Sequence, residues 1–147
     1  MNDTDVLLKF SEEEWSQARQ SEDQRALVTN LIMTVASVII GVISQRGLDT
    51  QTLPLTFLLV TLGLYGGLTS RKLYERHQFH IERARRYRAR INELHPNAQL
   101  NQLREEAVTV HKSKFPYLYS VHLNWLWSTL YAVIVMAGVI LTIIALG

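Results

Sequence analysis

The sequence predicts an all-α integral membrane protein: three transmembrane helices, with a cytoplasmic helical hairpin between the second and the third. Two observations carry that expectation. The first is three stretches, 27–45, 53–69 and 123–146, that contain no Asp, Glu, Lys, Arg or His. A helix needs roughly 20 residues to cross a hydrocarbon core about 30 Å thick. The first and third stretches meet that length, and the second meets it by adding Ser70 and part of the preceding loop. The second observation is a separation of charge that the formal net charge of +2 over 147 residues hides. Residues 1–26 hold three basic and seven acidic residues, whereas residues 70–122 hold eleven basic and five acidic ones. Basic residues beside membrane crossings favour the cytoplasm, and acidic ones contribute little to that bias. The expected topology in a cell membrane therefore has the N-terminus and residues 71–122 inside. The C-terminus is then external, in the periplasm if the membrane is bacterial.

The elements follow in order. In the leader, 1–26, Ser11-Glu12-Glu13-Glu14 has the form of a reciprocal capping box, bracketed by Phe10 and Trp15 as a hydrophobic staple. It predicts a helix over 11–25 that leads into the first crossing. The acidic leader lacks the basic start and small-residue cleavage site of a signal peptide, so the crossing that follows is expected to stay in the mature protein. Crossing one, 27–45, carries Ser37 and Gly41 four residues apart, a spacing that lets helices approach closely in lipid. Asn30, Thr34 and Ser37 are candidate pore-lining residues, together with Thr56 and Thr61 of crossing two. The plainer alternative is that all of these serve helix packing.

The loop 46–52 is short enough to make crossings one and two antiparallel neighbours. Pro54 fits the first turn of crossing two, 53–70, where its missing N–H costs no helical hydrogen bond. Gly63 and Gly67 form a GxxxG pair, read first as packing within the chain and second as packing between copies. Residues 71–94 contain no Pro or Gly, so crossing two is expected to continue as one long helix. Leu73, His77, His80, Ala84, Tyr87, Ile91 and Leu94 recur at four- and three-residue steps, a coiled-coil-like face. His95-Pro96-Asn97 predicts a reversal. A second amphipathic helix is expected over 98–112, with Leu100, Leu103, Ala107 and Val110 on its apolar side. The aromatic run from Phe115, ending in Trp125 and Trp127, suits a membrane interface at the start of crossing three, 123–146.

No residue set declares an enzyme. The chain has no cysteine, no HExxH, no phosphate-binding loop and no carboxylate pair in a recognisable catalytic frame. No catalytic residue, cofactor or metal is therefore expected. His77 and His80 lie three apart; zinc would need further ligands, and a pH-sensitive contact is the functional alternative to a polar stripe. Arg71, Lys72, Arg76, Arg83, Arg86 and Arg90, with Trp15, Trp125 and Trp127, are candidate contacts for membrane lipids or for a cytoplasmic regulatory protein. Nucleic acid is disfavoured because no aromatic platform or recognition helix accompanies the basic residues, and a nucleotide signal is left open. The three uncharged stretches argue against a proton relay.

The paired crossings, the short outer turn and the charged helix beginning Arg71-Lys72-Leu73-Tyr74-Glu75-Arg76-His77 resemble the SLATT type of small prokaryotic membrane effector. The resemblance covers roughly residues 27–94, with crossing three added to a two-crossing plan. It implies a homo-oligomeric effector that permeabilises the bilayer or forms a pore, in prokaryotic antiphage defence, and it carries no catalytic residue across. The alternative from the residues is a non-enzymatic scaffold or sensor subunit that recruits a cytoplasmic protein.

Overall fold

Two helices in this chain are far longer than a bilayer is thick, because nothing in their sequences stops them. The computed structural model describes residues 2–147. Helix α1 runs Asp3–Arg46, α2 Leu53–Leu94, α3 Leu100–Lys114, α4 Pro116–Ser120 and α5 Leu123–Leu146. The fold class is all-α as expected: α1, α2 and α5 are each long and apolar enough to cross a membrane, and α3 and α4 lie between the second and third of these in the chain. The 44 residues of α1 amount to about 66 Å of helix axis, twice the hydrocarbon core, so only part of it is needed for crossing.

The helix expected over 11–25 begins instead at Asp3. Its start is closed by Asp5, whose carboxylate accepts from the Asn2 backbone N–H at 3.1 Å. Ser11 and Glu14 are buried side by side further along the helix, and Glu14 is occupied by partners on α2. Neither therefore caps. At the other end Gly47 adopts φ +88°, the left-handed conformation glycine takes without steric cost, and its N–H returns to the Ile43 carbonyl at 3.0 Å. Asp49 then accepts from the N–H groups of Gln51 and Thr52, forming a single 3-10 turn that delivers the chain into α2. The predicted reversal at His95-Pro96-Asn97 is a second such turn, completed by Gln99 at φ 49°.

The chain divides into two units. The first comprises the chain up to Ser21 with Glu75–His122. In it the start of α1 and the end of α2 run antiparallel, as the paired contacts Ala18 with His77, Glu14 with His80, Phe10 with Tyr87 and Thr4 with His95 require. The predicted four-and-three face of α2 is the one used: Ala84 and Ile91 are buried along it, with Ile81 beside them. Helices α3 and α4 contain no buried residue.

The second unit comprises Glu22–Tyr74 with Leu123–Gly147 and is a bundle of three helices. Its core is built from Ile32, Ala36, Ile39 and Ile43 of α1, Leu59 of α2, and Tyr131 and Ile134 of α5. Against lipid, burial of apolar side chains gains nothing, so close packing and hydrogen bonds must hold such a bundle. Both are present. A methyl at Gly63 would lie 2.7 Å from Val135 Cγ2, and one at Gly138 would lie 2.9 Å from the Val60 backbone nitrogen. Gly66 accepts the Tyr131 ring, and only a hydrogen there leaves room for it. Thr56 and Thr142 join their hydroxyls at 2.8 Å, and Thr29 and Tyr131 at 2.6 Å.

Candidate functional site

The most concentrated chemistry in the three-helix unit is centred on a residue that precedes the first uncharged stretch. Arg25 is 1% exposed. Its Nε donates to Ser70 Oγ of α2 at 2.8 Å, and one terminal nitrogen donates to Asn124 Oδ1 of α5 at 2.7 Å. The other terminal nitrogen stands 3.6 Å from Glu22 of its own helix. The guanidinium also stacks over the rings of Tyr74 and Trp127, at 5.5 and 5.1 Å from their centroids. One planar cation thus ties all three helices, with its donors in a fork that Lys lacks. One turn on, Thr29 donates to the Arg25 carbonyl and meets Tyr131. A buried guanidinium is costly unless paired and hydrogen-bonded, and here it is both.

The same bundle leaves one polar face outside. Asn30, Thr34, Ser37 and Ser44 are exposed and Gly41 is half-buried, with nothing within 4 Å of where its Cβ would stand. These five residues recur at steps of four and three, so they lie along one seam of α1. Thr34, Ser37 and Ser44 satisfy their hydroxyls on their own helix, through the carbonyls of Asn30, Met33 and Ile40. The Asn30 carboxamide has no partner among the described residues. Of the other residues singled out from sequence, Gly63 packs against α5 and Gly67 makes only ordinary contact with Tyr131. Thr61 is exposed. Thr56 is fully buried and bonded to Thr142, so it lines nothing outside the bundle.

In the first unit, His77 and His80 face α1 separately. The His77 Nδ1 lies 3.1 Å from the Ala18 carbonyl, and His80 Nδ1 lies 2.6 Å from Glu14 Oε2. The second oxygen of that buried carboxylate is 3.0 Å from Arg83. The hydrogen bond Arg83 donates to the Tyr87 oxygen, and after it the charge of Glu14, push the Arg83 pKa above its ordinary value. Trp15 lies under the Arg88 guanidinium, 4.7 Å from its ring centroid. Arg86 pairs with Glu82 and Arg90 with Glu93 along α2. Arg71, Lys72 and Arg76 are exposed, and so is Trp125, whereas Trp127 serves Arg25. Among the described residues no group of three or more His, Asp or Glu is placed to hold a metal.

No family model, curated protein or solved structure matches the chain. The functional reading therefore rests on the chain's own geometry. Sequence reasoning passes over Arg25 because a basic residue two positions before a crossing is what membrane insertion alone would favour. The one available signal is pairing by type: Ser70 and Asn124 mark the corresponding ends of crossings two and three.

Proposed function

We propose that this multi-pass membrane protein is a regulated effector that acts as a homo-oligomer, its copies meeting along Asn30, Thr34, Ser37, Gly41 and Ser44 and making the bilayer permeable. The carrying observation is the unused polar seam on α1 with its unpartnered Asn30 carboxamide. Within lipid, a small-residue seam lets a second helix approach, and a carboxamide gains a hydrogen bond from its own counterpart across the contact. The remaining faces of the bundle carry large apolar side chains such as Leu31, Val133, Met136 and Ile143, suited to lipid. The arginine-rich segment assigns residues 71–122 and the N-terminus to the cytoplasm, where a trigger would be received. The resemblance to SLATT effectors supplies a setting in antiphage defence.

The chain contains no cysteine, so single cysteines report contacts without background. Oxidation of membranes carrying Ser37→Cys or Gly41→Cys is expected to give disulfide-linked dimers, while Ile143→Cys gives none. In liposomes, ion flux should track the oligomer and fall in Gly41→Phe. No cross-linking at either seam position would remove the proposed contact.

A second reading, a scaffold or sensor subunit, draws on α3 and α4, where Leu103, Tyr117 and Leu118 are exposed at 59%, 87% and 70%. Liposomes that stay tight around inserted, cross-linkable oligomers would favour it.

A further inference from the structure

We infer that the first unit contains a binding site for a phosphate-bearing anion, in a pocket enclosed by Trp15 of α1, Arg85, Arg88 and Ala89 of α2, and Asn101 and Arg104 of α3. The pocket holds about 210 Å³, room for a phosphate group and a small remainder. Three of its six lining residues are arginines and none is acidic. Like charges brought to one cavity repel, and the chain offers little relief. Among the described residues neither Arg88 nor Arg104 has an ion pair. Arg85 reaches only Glu82, at 3.8 Å, and that carboxylate is shared with Arg86 at 3.7 Å. Glu105, next to Arg104 in the chain, is not in the pocket wall.

The other features have the same sign. Asn101 and Arg104 belong to the first turns of α3, a 15-residue helix whose Gln99 N-cap provides no side-chain acceptor. That end carries the positive pole of the helix and N–H groups without helical partners. Arg88 is held against the Trp15 indole face rather than left to swing in solvent. Rigid guanidinium forks match the paired oxygens of phosphate better than they match a spherical halide. The ligand class is thus a phosphate monoester or a polyphosphate, either as a soluble molecule or as a lipid headgroup.

The inference does not depend on permeabilisation, because binding is read on the full chain without flux. The test is calorimetric titration of the protein in phosphatidylcholine nanodiscs with inorganic pyrophosphate at fixed ionic strength, with sodium chloride as the control anion. Saturable binding of one pyrophosphate per chain is expected. Replacing Arg88→Gln together with Arg104→Gln should weaken it by about tenfold or more for each charge-assisted contact removed. Arg90→Gln, outside the pocket and paired with Glu93 rather than with a neighbour of the site, should leave it unchanged. Because every residue of α3 is exposed, Arg104→Gln alone preserves packing if the double variant loses helicity. Nanodiscs containing phosphatidate, a lipid phosphate monoester, distinguish the sources: loss of pyrophosphate binding there identifies a lipid headgroup, and retention identifies a soluble ligand. No saturation by millimolar pyrophosphate, or binding unaffected by Arg104→Gln, would overturn the site.

Discussion

At the scale of single residues, Arg25 illustrates how a charge becomes a structural joint. Its side chain reaches Ser70 and Asn124 simultaneously because guanidinium donors diverge in a plane, while Tyr74 and Trp127 cover its faces. A lysine would keep the charge but present one compact ammonium, and would lose the fork. Arg25→Lys is therefore expected to lower stability by about 1.5–3 kcal/mol, the worth of one hydrogen bond to a charged group. Denaturant unfolding in mixed micelles measures it; an unchanged midpoint would mean that the second bond contributes nothing. Glu14 is a comparable joint in the other unit, with one oxygen on His80 and the other on Arg83. Its burial explains why the apparent capping box does not operate.

At the scale of helices, the glycines of α2 have unequal duties. Gly66 faces the Tyr131 ring and Ile32 Cδ1, the latter 2.6 Å from where a methyl would stand, so any side chain there must displace the Tyr131 ring and the end of Ile32. Gly67 would place its methyl 3.6 Å from Tyr131 Cβ, an ordinary contact. Overpacking a tight contact costs about 1–3 kcal/mol. Gly66→Ala should show a loss of that size in micelle unfolding, and Gly67→Ala should stay within about 0.5 kcal/mol of the parent. Equal effects would contradict the difference in geometry. The GxxxG spacing points to a narrow surface on α2, but the tightest residue on it stands between the two glycines that define the motif.

At the scale of the whole molecule, the charge asymmetry predicts the orientation. Insertion bias predicts that the basic segment 71–122 faces the cytoplasm. In cells, Leu48→Cys should react with a membrane-impermeant maleimide added outside, whereas Ser113→Cys should react only after permeabilisation. The reverse pattern would invert the topology and place the arginine pocket outside. Both positions are exposed, and the chain has no cysteine of its own, so labelling reports side rather than burial.

The class of the protein, the number of crossings, the long continuation of α2 and the turn at Pro96 were legible in the sequence because each depends on local properties. Uncharged length, the absence of Pro and Gly, and a proline after a helix act through their own segment. Which way each helix faces was not legible. In a soluble bundle apolar periodicity separates inside from outside, but lipid is as apolar as a core, so crossing one reads alike on both sides. Only tertiary structure could turn Ile32, Ala36, Ile39 and Ile43 inward and leave Asn30, Ser37 and Gly41 outward, or bury Thr56 while exposing Thr61. The same holds for Arg25 and for Arg85, Arg88 and Arg104: their partners and neighbours come from helices distant in the chain, and spacing along one helix carries no record of them.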